Sequence, residues 1–219
     1  MLKNELRYTD LNRPCIAIQA RSGSSRLPAK VLKNFYKDRN MLEVMYYRVH
    51  DLFKDTWILT PTGDQQIIDL CKKNNWLYFE GSETDLVSRY YDFAVKHQKK
   101  NIIRLTSDCP MINTSIIKQM WNRFQTRHID FMEFLTVDGW DVEICTFDVL
   151  EWLNQQSRYR EHTFQHIRKH LLEFKQLFKY HSWREPLLTE WFPKLSVDTD
   201  SDFQNIRRYY EQTLGPQSI

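Results

Sequence analysis

Along the chain, short apolar runs alternate with longer segments whose apolar positions recur at helical spacing. Cys15-Ile16-Ala17-Ile18 reads as a buried strand, and Leu42, Met45, Tyr46, Val49, Leu52 and Phe53 follow at i, i+3, i+4, i+7 intervals. Residues 56–60 read as the next strand, 64–74 as a helix, 76–79 as a strand and 84–97 as a helix. Residues 101–105 are a further strand, and 115–124 a helix that starts at an Asn113/Thr114 signal. This alternation predicts an α/β fold with a mostly parallel central sheet and helices on both faces. Beyond about residue 128 the rhythm changes. Residues 131–135 and 142–145 read as short strands around a Val137-Asp138-Gly139 turn, a hairpin-like insertion in the second half. Residues 160–174 are helical in period, 183–191 irregular, 194–197 a last strand, and 201–213 a final helix. No linker or repeat divides the chain, so residues 1–219 read as a single domain.

Composition narrows the classes. With 219 residues, 42% hydrophobic and 27% charged, the chain has material for one core and is not disordered. Thirty-one Lys+Arg against 28 Asp+Glu leave a net charge of +3, too small a global field to imply nucleic acid. No apolar run approaches the ~18 residues of a membrane span, and the N-terminus lacks a signal peptide's apolar stretch. A soluble, cytoplasmic protein without a membrane partner is expected. The four cysteines contain no Cys-x-x-Cys pair and read as reduced, buried thiols.

The segment that changes the picture is Gln19-Ala20-Arg21-Ser22-Gly23-Ser24-Ser25-Arg26-Leu27-Pro28-Ala29-Lys30, directly after the first strand. In an open α/β sheet this is where ligands sit. Gly23 allows close backbone approach, three serines add hydroxyls, and Arg21, Arg26 and Lys30 suit a polyanion. Residues 21–48 carry seven Lys/Arg and two Asp/Glu, a local excess of five positive charges. A phosphate-rich ligand accounts for that excess; the bland alternative is a solvated basic loop. A Walker loop is disfavoured because Pro28 stands where its second glycine is needed. The G-x-G-x-x-G dinucleotide fingerprint is absent, since Gly23 is the only glycine of the turn.

These residues, continued through Val31-Leu32, resemble the signature loop of the sugar-acid cytidylyltransferases, in particular the SpsF-like branch related to CMP-Kdo and CMP-sialic acid synthetases. Further matches follow in order: Gly81-Ser82 with Asp85 and Arg89-Tyr90, Arg104-Leu105-Thr106-Ser107-Asp108-Cys109-Pro110, Asp141-Val142-Glu143, Arg160-Glu161-His162-Thr163, and Leu195-Ser196-Val197-Asp198-Thr199. The resemblance implies a Rossmann-like nucleotide-diphospho-sugar transferase fold, Mg²⁺ dependence, and transfer of CMP from CTP to a 2-keto sugar acid with release of pyrophosphate, for surface polysaccharide biosynthesis. It places the metal on Asp108 and Asp198, and the nucleotide on Gln19, Ala20, Arg21, Gly23, Ser24, Arg26, Lys30, Gly81, Ser82, Arg89 and Asp108. Arg21, Lys30, Asp108 and Asp198 form the catalytic set. Asp141, Glu143, Arg160, Glu161 and His162 are the expected sugar pocket. Residues 129–193 are the expected sugar-side and dimerisation region of a homodimer. Ala29, Ser107, Asn113 and Asp200 depart from the family pattern without removing a charge assigned to the reaction.

From the residues alone, Asp108 and Asp198 sit at strand ends and suit Mg²⁺, but capping of the following helix is an equal alternative for each. His162, His166 and His170 share helical spacing, yet Thr163 stands where His-Glu-x-x-His needs glutamate, so zinc is not expected. Two other classes compete: a nucleotide-sugar-dependent glycosyltransferase, for which Asp198-Thr199-Asp200 is the Asp-x-Asp pattern, and a nucleotide-binding subunit without activity.

Overall fold

The computed structural model describes residues 13–134, 137–156, 171–185 and 194–214. Its centre is a seven-stranded sheet. In chain order the strands are β1 (Cys15–Gln19), β4 (Thr56–Pro61), β5 (Leu77–Gly81), β6 (Asn101–Thr106), β7 (Phe131–Phe134), β8 (Val142–Thr146) and β9 (Tyr180–Trp183), and they lie in the order β5-β4-β1-β6-β8-β7-β9. A separate ribbon pairs β2 (Asn34–Tyr36) with β3 (Arg39–Asn40). Within the seven-stranded sheet all neighbours are parallel except β8, which runs against both β6 and β7.

The helices are α1 (Met41–Val49), α2 (Gln65–Lys73), α3 (Leu86–His97), α4 (Thr114–Thr126), α5 (Phe147–Gln155), α6 (Leu171–Leu177) and α7 (Asp200–Thr213). Strand alternation divides the core between the two faces of the sheet. Ile16, Ile18, Ile103 and Leu105 face the cluster built with α1, α2, α4 and α7. Cys15, Ala17 and Ile102 face the cluster built with α3, α5 and α6. The helices begin where short polar side chains take up the free N–H groups. Asn40 and Glu43 close a capping box on α1, and Asp64, Asp85 and Asn113 cap α2, α3 and α4. All four cysteines are free and buried, as expected, and burial pushes the Cys71 thiol up to about 12.

The hairpin read from the sequence is β7–β8, with Phe131 opposite Cys145 and Phe134 opposite Val142, and it continues the main sheet because β8 also pairs with β6. One expectation fails: residues 194–197 form no strand. This segment crosses over the strand ends, donating from Leu195 N–H to the Asp138 carbonyl at 2.7 Å and from Val197 N–H to the Asp108 carbonyl at 2.9 Å. Gly139 makes the crossing possible. Its φ is +98°, and a Cβ there would lie 2.3 Å from the Leu195 carbonyl carbon. No helix among the described residues is long and apolar enough to cross a membrane.

Strand order locates the ligand crevice before any side chain is considered. The chain steps from β1 outward to β4 and β5, then returns to the other side of β1 as β6. The reversal falls between β1 and β6, so their carboxyl ends bound the crevice where open α/β sheets bind ligands.

Candidate nucleotide-binding crevice

At that point lies a crevice of about 170 Å³, lined by Gln19, Arg21, Ser24, Ser25, Arg26, Lys30 and Val31 from the loop after β1, by Thr106, Ser107 and Asp108 at the end of β6, and by Asp198. The loop is shaped from beneath. Leu27 and Val31 are buried in the core, while Ala29 N–H donates to the Ser22 carbonyl at 3.0 Å and closes the loop into a ring. Asp64, besides capping α2, accepts from Ser22 N–H at 2.7 Å. Gly23 has open space where a Cβ would stand, so a ligand can reach its backbone.

Three cations and two carboxylates meet here. Lys30 Nζ, with its side chain only 12% exposed, lies 3.1 Å from Asp108 Oδ2 and 3.7 Å from Asp198 Oδ1, and donates to the Val197 carbonyl at 2.6 Å. Arg26 reaches Asp198 Oδ1 at 2.8 Å, and Lys194 holds Oδ2 at 2.9 Å. Burial alone would raise the Asp198 carboxyl. The hydrogen bond from Lys194 and the charges of Lys194, Lys30 and Arg26 outweigh it and hold the group below its ordinary value. Arg21 is exposed and has no hydrogen-bond partner among the described residues, which leaves its guanidinium open to an incoming anion.

Capping no longer competes for the two aspartates. Thr199 caps α7, with Asp202 completing the box, and Asn113 caps α4. Asp108 and Asp198 are thus free to converge on a cation, and Lys30 Nζ occupies that focus. No group of three or more metal-ligating side chains occurs among the described residues. Two hard carboxylates open to phosphate oxygens and water nevertheless fit Mg²⁺, which seldom takes an all-protein cage.

The remaining expected residues fall in three places. Ala20 is buried beneath the loop, its N–H bonded to the Leu59 carbonyl at 3.0 Å. Gly81, Ser82 and Arg89 lie at the neighbouring ends of β5 and α3. Arg89 donates to the Ser82 carbonyl through Nε at 2.7 Å, and a Cβ on Gly81 would sit 2.7 Å from Arg89 Cγ, so that glycine makes room for the arginine. On the β8 side, Glu143 is buried and ion-paired with Arg104. Asp141 is half-buried; burial first, then the charges of Asp138, Glu143 and Asp108, raise its carboxyl against the hydrogen bond from Gly139 N–H. Arg160, Glu161 and His162, with His166 and His170, lie outside the described residues. Sequence reasoning missed Asp64, which reads only as the first residue of the helix 64–74, and the service of Lys194 to Asp198.

A doubly wound sheet with a cationic loop and two convergent carboxylates at its reversal point, one after β6 and one on the crossing segment, is the architecture of an α/β nucleotidyltransferase. Within that class, the chain belongs to the cytidylyltransferase family, whose profile matches residues 15–214. The spore coat polysaccharide biosynthesis protein SpsF of Bacillus subtilis is 26% identical over 216 residues, 89% of this chain and 85% of that protein. A cytidylyltransferase from Leptospira borgpetersenii superposes with a TM-score of 0.82 at 29% identity, covering 92% of this chain and 88% of the other. A CMP:2-keto-3-deoxy-manno-octonic acid synthetase solved with CTP shares the fold at a TM-score of 0.72 and 15% identity, over 92% of this chain and all of its own.

Proposed function

We propose that the protein transfers CMP from CTP to a sugar acid of the 2-keto type, as a step in making a surface polysaccharide. The observation that carries the reading is the convergence of Asp108 and Asp198 on the Lys30 ammonium inside a cationic crevice at the sheet's reversal point. The family supplies the nucleotide, SpsF the polysaccharide context, and the CTP-bound synthetase of like fold the acceptor class.

In this reading the acceptor hydroxyl oxygen bonds to the α-phosphorus, the α–β phosphoanhydride bond breaks, pyrophosphate leaves with the bonding electrons, and the hydroxyl proton is lost to solvent. Arg21 and Lys30 bind the triphosphate and meet the charge that grows on the departing pyrophosphate. Arg26, held by Asp198, borders the same path. Asp108 and Asp198 would hold Mg²⁺, which when bound polarises the α-phosphate. Ser24 and the Gly23 backbone line the phosphate side, and the Gly81–Ser82 turn, clasped by Arg89, flanks the base. On the acceptor side Asp141 suits sugar hydroxyls, and Arg160 is the group proposed for the acceptor carboxylate.

The test is pyrophosphate release from CTP against a panel of sugar acids. Acceptor-dependent release from CTP, with UTP the nearest competitor and ATP and GTP poor, is expected. Release that ignores the acceptor, or prefers a purine nucleotide, overturns the proposal.

A further inference from the structure

Arg104 lies outside the crevice lining, and its donors are spent in an unusual way. It stands on β6 opposite Ala17 of β1 and opposite Glu143 of β8, so one arm lies beside each neighbouring strand. Nη1 pairs with Glu143 Oε2. Nε and Nη2 both donate to one atom, Gln19 Oε1, at 3.2 and 3.0 Å. Gln19 is the diagonal neighbour across the parallel pair, within reach of a long side chain.

A guanidinium has donors only, so the amide atom facing it must be the oxygen. The amide is therefore fixed against rotation by half a turn, which would set NH₂ against the arginine. Gln19 lines the crevice, and its Nε2 has no partner among the described residues. The glutamine consequently offers two N–H groups, and no acceptor, to whatever lies between the loop and Asp108. The remaining loop groups here are Arg21, Arg26, Lys30 and the serines, so the amide extends a wall of donors.

We infer that Arg104, itself anchored by Glu143, is a positioning residue that turns Gln19 into an obligate hydrogen-bond donor for an oxygen of the bound nucleotide. This rests on CTP being that nucleotide. The oxygen belongs either to a phosphate or to the pyrimidine carbonyl, and separate probes distinguish the two.

The experiment is calorimetric titration of CTP, CMP and inorganic pyrophosphate into wild type, Gln19→Met, Gln19→Glu, Arg104→Gln and the Gln19→Met/Arg104→Gln pair. Gln19→Met removes the donor at similar volume and should weaken CTP about tenfold, the worth of one hydrogen bond. A phosphate partner makes pyrophosphate share that loss; a base partner confines it to CMP and CTP. Gln19→Glu gives Arg104 a charged acceptor, so its melting temperature should hold or rise while CTP binding falls further than in Gln19→Met. Arg104→Gln should match Gln19→Met, and the pair should lose no more than either single variant, an equality that a merely structural arginine would not produce. Should Arg104→Gln fail to fold, the two Gln19 variants decide alone. Wild-type affinity for all three probes in Gln19→Met, or additive losses in the pair, overturns the inference. Failure of wild type to bind CTP overturns the nucleotide reading, and this one with it.

Discussion

The crevice and the neighbouring β7–β8 hairpin are built from opposite charge. The side of the loop after β1 brings Arg21, Arg26, Lys30 and Lys194 around Asp108 and Asp198, so each carboxylate is met by at least one cation. The β7–β8 side brings Glu133, Asp138, Asp141 and Glu143 together, with Arg104 as the cation paired there among the described residues. Glu133 and Glu143 even stand directly opposite on adjacent strands, an arrangement that is destabilising unless each carboxylate has its own partner. Arg104 serves Glu143 and the Tyr180 hydroxyl serves Glu133. The difference assigns tasks. In the proposed reading the first side takes the triphosphate, whereas the second, being acidic, suits hydroxyl groups. In that reading a sugar acid with its hydroxyls near Asp141 finds the counter-charge for its carboxylate elsewhere, the role proposed for Arg160.

The contrast is broken most severely at the carboxylates of the cationic side. Asp108→Asn and Asp198→Asn keep volume but remove a proposed metal ligand, so each should lower kcat/KM for CMP transfer by about 10³-fold, several kcal/mol of transition-state stabilisation. The melting temperature should stay within a few degrees, because neither residue caps a helix. Normal turnover in Mg²⁺ by both variants rejects the assignment. Arg21→Ala should raise the KM for CTP and lower kcat as well, since its partner gains charge as pyrophosphate departs.

On the acidic side the largest effect is on stability. Arg104→Met leaves Glu143 buried without its counter-charge, and urea unfolding should show a loss of about 3–5 kcal/mol. Replacing both, as Arg104→Met with Glu143→Leu, should restore much of it, because an apolar pair of similar size incurs no charge-burial cost. A double variant as unstable as the single one would show that the pair contributes through packing and not through charge.

Much of this contrast follows from local signals, and the rest does not. The strand–helix rhythm as far as α4 is legible because apolar periods and capping residues such as Asn113 agree. The antiparallel pair β7–β8 is legible from its turn. α5 is not, although Val149, Leu150 and Leu153 are apolar, because its N-cap Thr146 makes no side-chain cap bond and the helix follows β8 without a break. β9 is not legible: residues 180–182 carry no strand reading and 183–191 read as irregular, because Tyr-His-Ser-Trp lacks strand alternation. Residues 194–197 read as a strand from their pattern, but their partners are loop carbonyls 57 and 89 positions away. The Lys30–Asp108 pair, 78 positions apart, was reached through resemblance; the Arg104–Gln19 pair, 85 apart, has no local signature.

A smaller effect concerns Asp202, which supports Asp198 from behind. It accepts from Asp198 N–H at 3.0 Å, from Thr199 N–H at 2.9 Å and from Lys194 at 3.0 Å. Burial would raise its carboxyl; the bond from Lys194 and these backbone bonds overcome that and bring it from 3.8 down to about 2. A depressed carboxylate contributes stability that is complete above its ordinary value and disappears as pH falls through the lowered one. Asp202→Asn should therefore cost about 1 kcal/mol at neutral pH, as cap losses do, and flatten the acid limb of stability between about pH 4 and 2. An unchanged acid limb would remove Asp202 from the support of the cationic side.

The smallest effect separates two positions that border the crevice, Ala29 and Ser107. Ala29 sits at φ 51° and ψ 28°, left-handed backbone at the start of the Lys30–Leu32 turn. Ser107 is not among the described residues with positive φ, and its N–H donates to the Gln19 carbonyl at 3.0 Å from a buried position. A left-handed alanine carries a strain of about 1–2 kcal/mol, whereas glycine adds about 0.5–1 kcal/mol of unfolded-state entropy. Ala29→Gly should accordingly stabilise by a fraction of a kcal/mol, while Ser107→Gly, with no strain to relieve, should destabilise by a similar amount. The loop's closing bond from Ala29 N–H to Ser22 and the bond from Leu32 N–H to the Ala29 carbonyl at 2.8 Å are backbone contacts that glycine keeps. The KM for CTP should thus stay within twofold in Ala29→Gly. Urea midpoints of the two variants must move in opposite directions; a shared direction would mean that backbone strain does not decide where this loop needs glycine.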